Sequence, residues 1–325
     1  MSNFFQNPLD KSQKLCYNVH VAGIAQSVEQ LIRNEQVISS SLITSFHKSL
    51  CFLFGNTGFF ILHSDDDTRK MLERDIKELR KTIGQERFPQ VTNNSVDAIR
   101  DYEFCLCYEL KEMISFRIKD YSGEALEARD EVYQEVKQSI AESTALYIFI
   151  NGESFCADDR EERKENVYYD CAMTLCPMIQ DFADTHEEAL PPVIFVVTKT
   201  DLCKNYISEP EMISVIKSLF RPAFSENTIS YICGVSLGAN ISDDNYKGKL
   251  DPFNIQLPIF IGSYHEFYDR IKNPRHYKTE AEKAEEEKLF LKFGAYLEDE
   301  SENFCYFTDG KQSEFRAFNL LEAKR

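Results

Sequence analysis

The sequence predicts an α/β protein whose sheet is mainly parallel. Short apolar runs alternate with longer amphipathic segments through most of the chain, as strands and helices do in layered α/β folds. The run at 193–197 is apolar at every position, which is typical of a strand buried on both faces of a parallel sheet. Segments 102–110 and 114–118 instead alternate apolar and polar residues around a short turn, which predicts one antiparallel hairpin.

The remaining elements follow the same two patterns along the chain. Apolar or alternating runs predict strands at 17–22, 102–110, 114–118, 146–150, 193–197 and 228–235, and a turn at 55–58 between apolar flanks. Apolar residues at helical spacing predict helices at 28–50, 65–83, 125–143, 160–183, 209–220 and 258–271. Together these elements predict three layers, with helices on both faces of a sheet of the six-stranded type.

The character of the sequence changes after residue 272. A helix rich in Glu and Lys is predicted at 279–297, and its large apolar residues are gathered at its C-terminal end. An aromatic segment at 304–307 then precedes a turn at 309–310. We therefore expect an N-terminal extension, one large domain and an acidic C-terminal helical/β extension, at 1–15, 16–272 and 273–325.

Composition narrows the classes of partner. The 325 residues include 37 Lys and Arg against 54 Asp and Glu, so the net charge is −17. A chain this acidic repels phosphate backbones and anionic lipids, so we expect no nucleic-acid and no membrane partner. The ten cysteines form no CxxC pair, which is typical of reduced thiols in a cytoplasmic protein. No apolar run approaches the ~20 residues that a membrane span needs.

A four-residue motif, Thr198-Lys199-Thr200-Asp201, directly follows the most apolar predicted strand. Ligands of α/β folds bind at the carboxyl ends of strands, so a ligand contact is expected at this position. A carboxylate here can accept hydrogen bonds from both the ring N–H and the amino group of guanine, which adenine does not offer. The lysine stem can lie along the base. We interpret the motif as a guanine-reading loop, with an ordinary charged turn as the alternative.

Two weaker motifs stand at the ends of other predicted strands. In the first, Asp120 would hold magnesium through water, and the amide of Gly123 would face a terminal phosphate. In the second, Ser236 and Leu237 follow the last strand of the domain and would flank the base. Each motif is common by itself, but all three occur in the order that guanine-nucleotide sites require.

The phosphate loop GxxxxGK[ST], which should follow the first strand, is degenerate. Gly23 retains its first glycine, but Val28, Glu29 and Gln30 replace the second glycine, the lysine and the hydroxyl residue. A unit charge pair at ~4 Å is worth about 4 kcal/mol at an effective dielectric of 20. Because a carboxylate replaces the cation, this attraction for phosphate becomes a similar repulsion, so ordinary GTP binding and turnover are disfavoured.

The three motifs resemble those of the translation-factor and Ras-related branch of P-loop GTPases. More narrowly, the layout resembles the bacterial double-GTPase group of conflict (defence) systems, with an aromatic-Pro-x-x-Thr loop that ends here at Thr92. The resemblance covers residues 16–272 and implies a small-GTPase-like fold in which Thr92 senses the γ-phosphate and magnesium. The residues it implies for nucleotide or metal are Gly23, Thr92, Asp120, Gly123, Thr198, Lys199, Asp201, Ser236 and Leu237.

The resemblance and its departures together favour a pseudo-GTPase. We expect a catalytically impaired interaction or regulatory module without catalytic residues, working with a protein partner such as a GTPase or an effector of the same system. One alternative is an active GTPase switch that binds GTP or GDP with Mg²⁺, held by Asp120, through a non-standard phosphate site or a lysine or arginine supplied by a partner. Another is an unrelated α/β enzyme in which the motifs are accidental.

Overall fold

The computed structural model describes residues 59–63, 67–68, 70, 100–108, 111–120, 134, 138–140, 143–185, 190–236, 253–272 and 279–318. Its main sheet has five strands: β4 (Leu146–Asn151), β5 (Val193–Thr198), β6 (Ile229–Gly234), β7 (Phe304–Thr308) and β8 (Lys311–Ser313). They lie in the order β4-β5-β6-β7-β8. Every residue of β4 and of β5 is buried, as their unbroken apolar runs predict.

The main sheet is mixed. Strands β4, β5 and β6 are parallel, whereas β7 is antiparallel to β6 and β8 is antiparallel to β7. The α/β class is therefore confirmed, but the described part of the chain contains more antiparallel pairing than the one predicted hairpin. The six-stranded, small-GTPase-like arrangement stays a prediction.

A second sheet contains three antiparallel strands, β1 (Phe59–His63), β2 (Arg100–Tyr108) and β3 (Lys111–Asp120), in that order. The β2–β3 pair is the hairpin predicted from alternation, and its register places Phe104 opposite Phe116. The register shifts by one residue at Leu106, which marks a bulge. The predicted turn at 55–58, the strand at 17–22 and the helix at 28–50 lie outside the described residues.

Six α-helices complete the described part of the chain: α1 (Arg160–Val167), α2 (Met173–Thr185), α3 (Thr200–Cys203), α4 (Glu209–Leu219), α5 (Leu257–Lys272) and α6 (Glu280–Asp299). A π-helical turn, Tyr168–Ala172, joins α1 to α2, so the single helix predicted at 160–183 is continuous but carries an inserted residue. Helix α6 begins at a capping box formed by Thr279 and Glu282. Of the helices predicted at 65–83 and 125–143, residues 67, 68, 70, 134, 138–140 and 143 are described, and all of them except Ser143 are helical.

Two apolar clusters pack on opposite faces of the main sheet because its strands alternate their side chains between them. We call the first the aromatic face; it includes Tyr147, Tyr231, Phe260, Tyr264, Phe290 and Phe293 and is covered by α5 and α6. We call the second the aliphatic face; it includes Ile148, Ile150, Val193, Val197, Leu175 and Ile216 and is covered by α1, α2 and α4.

The segment predicted as a C-terminal extension shares the sheet and core of the residues before it. Strands β7 and β8 extend the main sheet from β6. Helix α6 packs on α5 through ring contacts, with Phe260 and Phe293 4.9 Å apart and Tyr264 stacked on Phe290 at 4.7 Å. The Arg270 guanidinium adds an ion pair to Glu286 and donates a hydrogen bond to the carbonyl of Met113 in β3.

Candidate functional site

The carboxyl ends of the three parallel strands meet at one edge of the main sheet. The register pairs Asn151 of β4 with Thr198 of β5, and Val197 with Gly234 of β6. The predicted guanine-reading loop and the loop after β6 therefore lie side by side. In α/β folds this edge is where ligands bind.

The Thr198–Asp201 loop is held by hydrogen bonds to both neighbouring strands. The Thr198 hydroxyl, which is buried, donates to the carbonyl of Ile150 at 3.3 Å. Lys199 has a left-handed backbone (φ 50°, ψ 38°) that reverses the chain into α3, whose first turn carries the half-buried Asp201. The Thr200 backbone N–H and hydroxyl both donate to the carbonyl of Val235, each at 3.2 Å.

The loop after β6 is fixed in the same way. The Val235 N–H donates to the carbonyl of Val197 at 2.8 Å, which continues the pairing of β5 and β6 by one residue. Ser236 is buried and exchanges two backbone hydrogen bonds with Phe253, at 3.1 and 2.9 Å. The two strand-end loops thus form one hydrogen-bonded unit, with Phe253 half exposed beside it.

Two glycines permit the close approach of these loops. A Cβ added to Gly152, which follows β4, would overlap the carbonyl oxygen of Thr198 and lie 2.9 Å from that of Lys199. A Cβ added to Gly234 would lie 2.6 Å from the Thr200 methyl group. The first contact is with backbone, which cannot rotate away, so Gly152 is required for the observed packing.

The Lys199 amine lies against the loop after β4. Its Nζ is 2.9 Å from Glu153 Oε1, and the Lys199 side chain is only 8% exposed while that of Glu153 is 33% exposed. A buried ammonium needs such a partner, because an uncompensated charge away from water is costly. The cation of the Thr198–Asp201 loop is therefore already balanced by a carboxylate of the chain itself.

The buried carboxyl group of Asp170 binds the backbone at the end of β4. Asp170, in the π turn, accepts a hydrogen bond from the Asn151 N–H at 3.0 Å and is 2% exposed. Burial raises the pKa of Asp170 from its ordinary 3.8 to about 7, while the hydrogen bonds from Asn151 and Ser154 and the Lys199 charge lower it. π turns are frequent at functional sites, and this one places a titratable group beneath the loop that carries Glu153.

A cavity of about 380 Å³ opens beside these loops, between α3, α4 and the start of β7. Its lining includes Thr200, Gly234, Phe253, Glu209 and Cys305. The Cys305 thiol donates a hydrogen bond to Glu209 Oε1 at 2.9 Å. Burial and the neighbouring Glu209 carboxylate raise the pKa of this thiol to about 12, so Cys305 is a protonated, weakly reactive group at neutral pH.

The predicted site residues divide into those the structure describes and those outside it. Thr198, Lys199, Asp201 and Ser236 lie in the two adjacent loops at this edge of the sheet. Asp120 is the last residue of β3. The remaining predicted residues lie outside the described part of the chain: Gly23, Thr92, Gly123 and Leu237.

Sequence reasoning missed three residues of this site, Gly152, Glu153 and Asp170. A glycine directly after a buried strand and a lone aspartate inside the apolar run 167–173 were the available signals. Glu153 had no local signal, because its partner Lys199 is far away in the sequence. The structure assigns these three residues to close approach, charge balance and support of the β4 end.

The described residues of this edge offer carboxylates, hydroxyls and backbone groups, and Lys199 is held by Glu153. Among the residues described, no group of three His, Cys, Asp or Glu side chains could hold a metal ion, and none of the helices is long and apolar enough to cross a membrane. No protein-family model matches the chain, and no curated protein matches it at a significant level.

Proposed function

We propose that this chain is a GTPase-like protein without efficient GTP turnover that serves as an interaction or regulatory module for a protein partner. The observation that carries the proposal is the junction of the Thr198–Asp201 loop with the Gly234–Ser236 loop at the ends of adjacent parallel strands, with Lys199 paired to Glu153. Under the proposal, the chain keeps the base-facing half of a guanine-nucleotide site, while the phosphate-binding half lacks its cation.

The strand arrangement supports a small-GTPase-like fold. The parallel order β4-β5-β6 and the antiparallel β2–β3 hairpin that ends at Asp120 agree with that fold. Assignment to the double-GTPase group, and of the partner to a GTPase or effector in the same defence system, rests on the sequence resemblance. Under the proposal Asp201 and Ser236 would face a base, and none of the residues named here would act as a catalyst.

Electrostatics argue against strong binding of a triphosphate. Glu29 replaces the lysine of the phosphate loop, which converts an attraction of about 4 kcal/mol at an effective dielectric of 20 into a repulsion. The Lys199 charge is balanced by Glu153, and the whole chain carries a net charge of −17. Each of these terms disfavours an anion more strongly than it disfavours a neutral base.

Titration calorimetry with Mg·GTP, Mg·GDP and GMP, combined with a phosphate-release assay, tests the proposal. We expect no micromolar binding of Mg·GTP and no phosphate release above the buffer blank, for the wild type and for Asp201→Ala alike. Asp299→Ala, at an exposed position at the end of α6, is the matched control. Micromolar binding of Mg·GTP that Asp201→Ala abolishes and Asp299→Ala preserves would instead establish the active-switch alternative.

A further inference from the structure

We propose that Tyr168, Tyr169 and Met173, which we call the tyrosine face, form the docking surface for a basic amphipathic segment of a partner protein. The inference rests on the proposed function in one respect, that the chain works by binding a protein partner. It adds where that partner binds and which chemistry it presents.

The tyrosine face is an exposed apolar surface on the outer side of the α1–π–α2 helix. Tyr168 is 42% exposed, Tyr169 is 54% exposed and Met173 is 41% exposed. The two tyrosine rings lie 5.3 Å apart in an edge-to-face arrangement, so they present a fixed aromatic surface. Tyrosine and methionine are enriched at protein interfaces, and tyrosine buries a large area at a small entropic cost.

The π turn carries part of this surface. Its two consecutive tyrosines are exposed, while Asp170, Cys171 and Ala172 are buried against the sheet. The same turn therefore presents the tyrosine face outward and Asp170 inward.

The charges beside the tyrosine face indicate which kind of partner segment it would bind. Along the same helix, exposed acidic residues stand on both sides of the tyrosine face: Glu161, Glu162 and Glu165 before it, and Asp184 after it. The basic residues of α1 are fewer: Arg163 is buried and paired with Glu211, Lys164 is half-buried, and Arg160 is exposed and donates to Ser214. Exposed acidic side chains therefore outnumber exposed basic ones along this helix. An apolar centre with acidic flanks complements a segment whose apolar anchors are flanked by lysine or arginine.

The same charges disfavour other occupants. A second copy of this chain also carries −17, so association through an acid-flanked surface would bring like charges together. Nucleic acids and anionic lipid surfaces are repelled for the same reason. A basic protein segment is the occupant that both the apolar centre and its acidic flanks favour.

Docking on the tyrosine face would reach the candidate site through one hydrogen bond. Asp170, adjacent to Tyr169, accepts the Asn151 N–H at the end of β4. Two residues further on, Glu153 holds Lys199. A partner that shifts the π turn therefore moves the strand end that positions the guanine-reading loop, which gives the docking surface a regulatory connection.

The chain contains no tryptophan, so a single introduced tryptophan reports on its own surroundings. Tyr169→Trp keeps an aromatic side chain on the tyrosine face, and Leu291→Trp on α6, where Leu291 is 53% exposed, is the matched control. The probe is a synthetic amphipathic helical peptide with leucine and phenylalanine anchors flanked by lysines. We expect a saturable blue shift of emission with Tyr169→Trp and none with Leu291→Trp.

Affinities measured by anisotropy of the fluorescein-labelled peptide complete the test. We expect Tyr169→Ser with Met173→Ser to weaken binding at least about tenfold, and Leu291→Ser to leave it unchanged. Glu162→Lys with Glu165→Lys should also weaken binding, by like-charge repulsion, and a peptide with glutamates in place of lysines should not bind. Circular dichroism checks that every variant is folded.

Three outcomes would overturn the docking surface: no saturable binding of the lysine peptide, equal binding by the serine variants at both places, or equal binding of the glutamate peptide. The assay contains no nucleotide, so its result is independent of calorimetry. Tight Mg·GTP binding would overturn the proposed function while leaving the docking surface intact, and loss of peptide binding would do the reverse.

Discussion

The two faces of the main sheet differ in the side chains that pack on them and in the polar groups buried there. On the aromatic face, rings of α5 and α6 pack on one another, and a neutral His265 of α5 shares a 2.8 Å hydrogen bond with the Tyr231 hydroxyl. On the aliphatic face, branched side chains fill the core, and the buried Asp170 lies beneath the strand ends. The comparison teaches that the buried carboxyl group that binds the end of β4 lies on the aliphatic face, whereas the aromatic face is held together mainly by ring contacts.

The largest expected effect tests the role of the aromatic face. Phe293→Ala removes a fully buried ring that contacts Phe260 and Phe267, so we expect a loss of about 3–5 kcal/mol in the free energy of unfolding. Urea denaturation followed by circular dichroism measures it. Leu291→Ala, two residues away and exposed, should change stability by less than about 0.5 kcal/mol. Equal effects of the two variants would show that α6 is not part of the core.

The second prediction concerns the buried carboxyl of the aliphatic face. The pKa of Asp170 is raised from 3.8 to about 7, so its contribution to stability is full below pH 3.8 and is lost as the pH rises through 7. Relative to Asp170→Asn, the wild type should therefore lose up to about 4 kcal/mol of unfolding free energy across this range. Urea denaturation at a series of pH values measures this difference.

Two other buried groups titrate in the same experiment. Burial raises the pKa of Glu266, on α5, to about 7, so Glu266→Gln is the counterpart variant for the aromatic face. Burial lowers the pKa of His265 to about 3, which gives the opposite sign: its stabilisation is present above 6.5 and lost as the pH falls. Subtracting the unfolding free energy of each variant from that of the wild type at the same pH removes the contributions of the other titrating groups. A parallel pH profile for Asp170→Asn and wild type would contradict the assignment of Asp170.

The smallest expected effect distinguishes backbone from side-chain contact at the candidate site. Gly152→Ala forces a methyl group onto the carbonyl of Thr198, whereas Gly234→Ala meets the Thr200 side chain, which can rotate. We expect Gly152→Ala to lower the free energy of unfolding by about 1–3 kcal/mol and Gly234→Ala to lower it by less. Thermal unfolding measures both. The reverse order would mean that the β4 end yields more easily than the loop at Thr200.

Much of the fold could be predicted because each strand has a recognisable pattern in its own short stretch of sequence. The run at 193–197 and the alternation in β2 and β3 identify their strands without any knowledge of partners. The attachment of β7 to β6 could not be predicted, since the segment 304–308 is short and its partner lies some seventy residues earlier. The π turn was also hidden, because one inserted residue disturbs a helical pattern too little to be recognised.

The residues of the candidate site also fall into those that the local sequence predicts and those that it does not. Thr198, Lys199 and Asp201 could be predicted since motif and strand end coincide in the sequence. The pairing of Lys199 with Glu153 and the support of Asn151 by Asp170 depend on packing between separate elements. Such contacts join residues that are far apart in the sequence, so no local pattern predicts them.

Strand β8 has a consequence for how neighbouring molecules meet. It has three residues, Lys311–Ser313, all of them exposed, and it is joined to β7 by a tight turn at Asp309 and Gly310. Short outer strands that carry a lysine are poor templates for the backbone of another molecule. Strand β8 therefore disfavours edge-to-edge pairing of the main sheet with another molecule at high protein concentration.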